Sequence, residues 1–223
     1  MPPKVNPDDA VNLTLDLRVR HIPERQLQKY ESYLAEILEA LGMDLDTPST
    51  RETPRRYLRA LFDASDGYDG DPRLVKLFPF EPRSAPEHPL NQIVEGPIQF
   101  YALCEHHALP FFGEAFVGYS ADAQIIGISK LTRLVRLFSR RFTLQERIGH
   151  LVADALMPLL KPYGVAIYLK ARHLCVEMRG VRAHAPMTQT TVWRGEYADQ
   201  AALRSEFLAL CGLYESVRPN PED

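Results

Sequence analysis

The chain has 223 residues, enough for one large domain or for one domain with an N-terminal extension. Hydrophobic residues make up 45% and charged residues 25%, which excludes wholesale disorder, and no apolar run approaches the ~20 residues of a membrane span. A net charge of -3 argues against a general nucleic-acid coat, and three widely spaced cysteines suit a reducing compartment better than a disulfide framework. The opening stretch Met-Pro-Pro-Lys-Val-Asn-Pro-Asp-Asp lacks the apolar core of a secretory leader. The expectation is a cytoplasmic protein with neither a membrane nor a nucleic-acid partner.

Residues 1–22 read as a loose polar arm. Leu27, Tyr30, Leu34, Ile37 and Leu41 recur at threes and fours and predict a helix from Pro23 to Leu41, with Gly42 as its stop. Thr53-Pro54 starts a second helix, and residues 66–92, rich in Gly, Asp and Pro, form a long connection. Alternation predicts strands at Ile98–Ala102 and Glu114–Tyr119. Ser129 caps a helix running to Phe142, and Thr143 caps another that Pro162 and Gly164 end. Val165–Cys175 and Thr188–Tyr197 read as strands, Gln200–Leu213 as the last helix, and 218–223 as a frayed tail. Adjacent strands with no helix between them pair as antiparallel hairpins, and the two central helices cover one sheet face, an α+β arrangement.

The densest chemistry is Cys104-Glu105-His106-His107, with His173-Leu174-Cys175 far downstream. Cys104 and His107, three apart, reach one ion from a tight turn. His173 and Cys175, two apart on a strand, share a face. Two thiolates and an imidazole suit zinc and leave a fourth position for water, whose pKa zinc lowers toward ~7. Spacing alone accounts equally for buried apolar thiols and satisfied histidines. Cys211, among leucines of the last helix, reads as a core thiol.

Between Ser129 and Arg147 stand six cations (Lys130, Arg133, Arg136, Arg140, Arg141, Arg147) and one anion, Glu146. Cations at a helix N-terminus oppose the dipole, so a bound polyphosphate is one reason for them; a salt-bridged or solvated face is the other. Thr143-Leu144-Gln145-Glu146 reads either as a capping box or as a Gln-Glu pair that recognises a purine.

Three stretches together resemble the GTP cyclohydrolase I family: Cys104-Glu105-His106-His107 through Phe112-Gly113, Gly127-Ile128-Ser129-Lys130-Leu131 on to Gln145-Glu146-Arg147, and His173-Leu174-Cys175 through Arg182. The similarity runs over about residues 24–198 and includes Glu52-Thr53-Pro54-Arg55-Arg56. It implies a tunnelling fold in a homodecamer, with an N-terminal arm and helices over 1–92, a catalytic domain over 93–217 and a tail over 218–223. It also implies zinc on Cys104, His107 and Cys175, and hydrolysis of GTP to 7,8-dihydroneopterin triphosphate and formate, a step of pterin and folate biosynthesis. His106 and His173 match proton-transfer histidines, and Gln145 and Glu146 match the guanine-binding pair. Lys130, Arg133 and Arg179 match triphosphate contacts, Ser129 lies beside the ribose–phosphate, and Arg56 matches an arginine reaching a neighbouring subunit's site. Ala102, Ala183–Met187, Trp193 and Glu196 depart from the family pattern. Two alternatives compete: a non-catalytic purine-nucleotide-binding oligomer with structural zinc, and a paralogue giving a different ring-opened product.

Overall fold

The computed structural model describes Leu17 and residues 20–71, 92–121 and 125–216. Most of the expected arm and connection, and the expected tail, therefore lie outside the described residues.

Two helices come first, α1 (Glu24–Ala40) and α2 (Thr53–Ala64), followed by a 3-10 turn at Asp66–Tyr68. Pro54 in the first turn of α2 lacks only an N–H that would be unpaired there anyway. Strands β1 (Gln92–Cys104) and β2 (Pro110–Ser120) form an antiparallel hairpin longer than the alternation predicted at either end. Helix α3 (Ile128–Ser139) then runs back along β1. The predicted continuation to Phe142 gives way to a two-residue strand, β3 (Phe142–Thr143), parallel to the end of β1. The competing bonds are Leu103 N–H to Arg141 O at 3.1 Å and Glu105 N–H to Thr143 O at 3.2 Å, so pairing with β1 outcompetes another helical turn.

Next come α4 (Gln145–Leu160), β4 (Gly164–His173) and a one-turn helix α5 (Leu174–Glu177). The described residues end in β5 (Thr188–Gly195), a short helix α6 (Glu196–Asp199) and α7 (Ala201–Ser216). The sheet order is β3-β1-β2-β4-β5, antiparallel except for the β3–β1 contact. This is the expected α+β arrangement behind an N-terminal helical pair.

Side-chain alternation separates two cores. Ile98, Phe100, Ala102 and Cys104 of β1, Phe111, Val117 and Tyr119 of β2, and Val165, Ile167 and Leu169 of β4 pack beneath α3 and α4. On the opposite face, Phe116 and Ala166 meet Tyr197, Phe207 and Cys211, so α7 covers part of the second face. Cys211 is 2% exposed and is the core thiol that its leucine neighbours suggested.

Candidate metal centre and its surroundings

Cys104 is the last residue of β1 and points into the helical layer, in phase with Phe100 and Ala102. The chain then turns sharply: His107 N–H and Ala108 N–H both return to Cys104 O, at 3.4 and 2.8 Å, and Ala108 takes φ 55°. This turn swings His107 back toward the cysteine that precedes it. Cys175 arrives from the other side of the hairpin, on the single turn α5. The expectation that Cys175 continues the strand is corrected here. β4 stops at His173, because Met178 N–H bonds to Leu174 O at 3.0 Å and closes a helical turn.

The result is a cluster in which one donor atom each from Cys104, His107 and Cys175 lies within 4.8 Å of the others. Cys104 is buried, His107 exposed, and Cys175 at the margin at 9% exposure. Two sulfurs and an imidazole nitrogen at this spacing suit a tetrahedral divalent ion with one position left over. Burial pushes the Cys175 thiol up, and the neighbouring Cys104 adds to that, while Arg179 pulls it down. Two adjacent sulfurs resist ionising together unless a cation lies between them, so the donor set fits a metal.

The same end of the sheet gathers other sequence-identified residues. His173 pairs across the ladder with Phe111, and the two rings stack at 4.6 Å and 3°. Burial holds its pKa below the ordinary histidine value, against the pull of Glu146 and Glu177. Glu146 is exposed in the first turn of α4 and close enough to act on His173. Arg179 follows α5 and acts on Cys175. His106 is exposed, its ring 6.3 Å from that of His107.

Thr143 is not a cap. It lies in β3, Leu144 holds the N-cap position, and α4 has no side-chain cap. Glu146 is thereby free of the capping box and faces solvent. Gln145 does not present its amide to a ligand: it is 1% exposed, and its Nε2 donates to Leu169 O at 3.2 Å, Thr188 O at 3.0 Å and Thr190 Oγ1 at 3.2 Å. The Gln145 side chain is thus engaged within the chain, with its Oε1 2.9 Å from His173 Nε2.

The basic run follows the salt-bridged reading within this chain. Arg133 meets Asp71 at 3.0 Å, Arg140 pairs with Asp66, and Arg147 pairs with Glu105. Arg141 is 3% exposed and donates to Gly67 O and Leu137 O. Ser129, Arg133, Arg136 and Arg140 line a hollow of ≈ 710 Å³ with Asp66, Asp69 and Asp71. Lys130 lies in the first turn of α3, its N–H on Gly127 O at 2.8 Å. Arg56, on α2, is exposed with Nη1 3.4 Å from Ser49 O. Among the described residues, neither the hollow nor Arg56 joins the cysteine cluster.

Sequence reasoning missed two supports of this end of the sheet. Phe111 backs His173, and its signal was a phenylalanine in register with that histidine. Glu105 ties the cysteine turn to α4 through Arg147, with Nη2 to Oε1 at 3.1 Å, and nothing in the spacing announced it.

A family model described as GTP cyclohydrolase I matches residues 30–212. A protein from Campylobacter lari called GTP cyclohydrolase 1 is 36% identical over 86% of this chain and 98% of its own length. Proteins of the same name from Janthinobacterium sp. and Nitrosospira multiformis are 40% and 41% identical, over 78% and 80% of this chain and 86% and 92% of theirs. The solved apo structure of an archaeosine synthase QueF-Like aligns over 47% of this chain and 92% of its own, at 12% identity and a TM-score of 0.38. With the family model spanning most of the chain and relatives matched over nearly their full length, this protein belongs to the GTP cyclohydrolase I family.

Proposed function

We propose that the chain is a zinc-dependent GTP cyclohydrolase I that hydrolyses GTP to 7,8-dihydroneopterin triphosphate and formate, supplying pterin and folate synthesis. The observation carrying this reading is the convergence of Cys104, His107 and Cys175 beside His173, Glu146 and Arg179 at one end of the sheet. Zinc on those three residues supplies Lewis acidity, which makes a nucleophilic water available near neutral pH.

The other residues take roles that match their chemistry. Glu146, exposed and unneeded as a cap, accepts from the N1–H and 2-amino group of guanine. His173, whose pKa burial lowers, and exposed His106 move protons at the purine ring nitrogens and the ribose as the imidazole ring opens and formate leaves. Arg179 faces the triphosphate.

Ser129, Lys130, Arg133 and Arg56 belong to the same reading as contributions to a neighbouring copy's triphosphate. Within one chain Ser129 and Arg133 line a hollow apart from the cysteine cluster, and the sites are completed in a ring assembly, by resemblance a homodecamer. The catalytic unit is residues 93–217, and its three free cysteines suit a reducing cytoplasm.

The test is one assay. Protein reconstituted with zinc is given GTP, with formate and product mass as readouts, and again after chelation. Formate and a dihydroneopterin triphosphate mass that vanish with chelator and return with zinc support the reading. GTP binding without formate means a binding protein with structural metal, and a different ring-opened mass means another cyclohydrolase. Cys104→Ala is expected to lose both zinc, read by elemental analysis, and at least about 100-fold of formate release.

A further inference from the structure

Gln145 is the most completely enclosed polar side chain near the site, and the mechanism above gives it nothing to do. Its terminal NH2 faces Leu169 O, Thr188 O and Thr190 Oγ1 at 3.2, 3.0 and 3.2 Å. Two of these are backbone carbonyls, which only accept, so the amide cannot be turned around without setting oxygen against oxygen. Its Oε1 therefore points the other way, and there it lies 2.9 Å from Nε2 of His173. An amide oxygen only accepts, so Nε2 must carry the hydrogen. Phe111, stacked on the same imidazole at 4.6 Å and 3°, fixes the plane of the ring while the amide fixes its rotation. The amide is 1% exposed, so water does not compete for the bond.

We propose that Gln145 is a positioning residue: anchored by strands β4 and β5, it locks His173 in the Nε2–H tautomer and leaves Nδ1 as the nitrogen that exchanges protons with the substrate. The inference deepens the proposed reading and rests on the proton-transfer role given to His173. The Gln145 side chain acts through His173. It acts by denying His173 the wrong tautomer and the wrong rotation, either of which puts an N–H where a lone pair is needed.

The tautomer can be read directly, without activity. Zinc-loaded protein labelled with 15N-histidine is measured by solid-state NMR at pH 8, and the His173 signals are identified by their loss in His173→Asn. The expected result is a protonated Nε2 and a bare Nδ1. A protonated Nδ1 with a bare Nε2 overturns the proposal, and this arm needs no substitution of Gln145. In Gln145→Met, which keeps length and drops both polar atoms, His173 is expected to show mixed tautomers. In that variant kcat falls about tenfold to 100-fold, while KM for GTP and zinc content stay as in the wild type. Thr190→Val, which removes one weaker anchor, is expected to lower kcat less than threefold in the same direction. A Gln145→Met protein with unchanged tautomer and unchanged kcat overturns the assignment. Full activity in His173→Asn, with the wild-type tautomer as stated, instead overturns the role of His173 and leaves the amide lock standing.

Discussion

Cys104 and Cys175 place two sulfurs side by side at the edge of an apolar core, where burial and the neighbouring Cys104 both push the Cys175 thiol up. The nearest relief is positive charge, and His107 stands ready as a third donor at that point. Glu146 is a different kind of site residue, exposed, in the first turn of a helix, and held by no cap. Replacing its carboxylate with an amide exchanges charge-assisted hydrogen bonds for weaker ones. Glu146→Gln is expected to raise KM for GTP about tenfold to 100-fold, with zinc content unchanged, as measured by steady-state kinetics and metal analysis.

At the scale of elements, the centre is made by three chain reversals at one end of the sheet. They are the turn after β1, the switch from α3 into β3 ahead of α4, and the helical turn α5 that ends β4. β2 and β4 must be tightly paired for the first and third to meet. Gly113 permits that approach: a Cβ there would sit 1.9 Å from Lys170 O and 2.7 Å from the Ala171 Cα. Because the obstruction is backbone, no rotamer relieves it. Gly113→Ala is expected to cost about 2–4 kcal/mol in urea unfolding and to lower zinc occupancy in the folded fraction, since it forces apart the strands that carry Phe111 and His173.

For the whole molecule, two cores on opposite sheet faces divide the labour. The one under α3 and α4 holds Cys104 and Cys175; the one under α7 centres on Phe207, which is fully buried between Tyr197 and Trp193. Trp193 and Ala102 fit as packing residues of these cores: the indole stands edge-on to Phe207 at 5.8 Å, and Ala102 is 3% exposed. Phe207→Ala is expected to cost about 3–5 kcal/mol by denaturant titration, yet leave zinc stoichiometry intact in protein that remains folded. The segment ahead of the sheet is tied down separately, in part by Arg20, which bonds Asp69 at 2.6 Å and Ser65 Oγ at 2.8 Å. The hydrogen bond from Arg20 holds the Asp69 carboxyl below its ordinary pKa of 3.8. A lowered carboxylate pKa stabilises the fold above the unfolded value, and that contribution is lost as pH falls through the folded one. The Asp69 carboxylate is exposed and screened by solvent, so Asp69→Asn should cost at most ~0.5 kcal/mol at pH 7. The gap should narrow below pH ~4 and close at lower pH, as followed by denaturant midpoints across that range.

Apolar stripes, with start and stop residues, located α1, α2 and α4, because each stripe has to be covered; the last helix and the four long strands were also legible in the sequence. The sequence by itself also named the cysteines and histidines of the centre, since soft and borderline donors at short spacings are rare enough to be noticed. Tertiary structure decided what local rules could not weigh. Phe142 and Thr143 left their helix because the end of β1 offered free backbone partners, and Cys175 left its strand because a helical turn closed behind it. Three of the six cations in the basic run found acidic partners at Asp66, Asp71 and Glu105, none of which its own spacing could reveal. Gln145 is the fullest case: its spacing suggested half of a purine-recognising pair, and the fold buries its side chain against β4, β5 and the His173 ring. The reason is common to all of these. A polar group's partner is chosen by what lies nearest in space once the chain has closed, and all four atoms that claim the Gln145 amide come from strands more than twenty residues away.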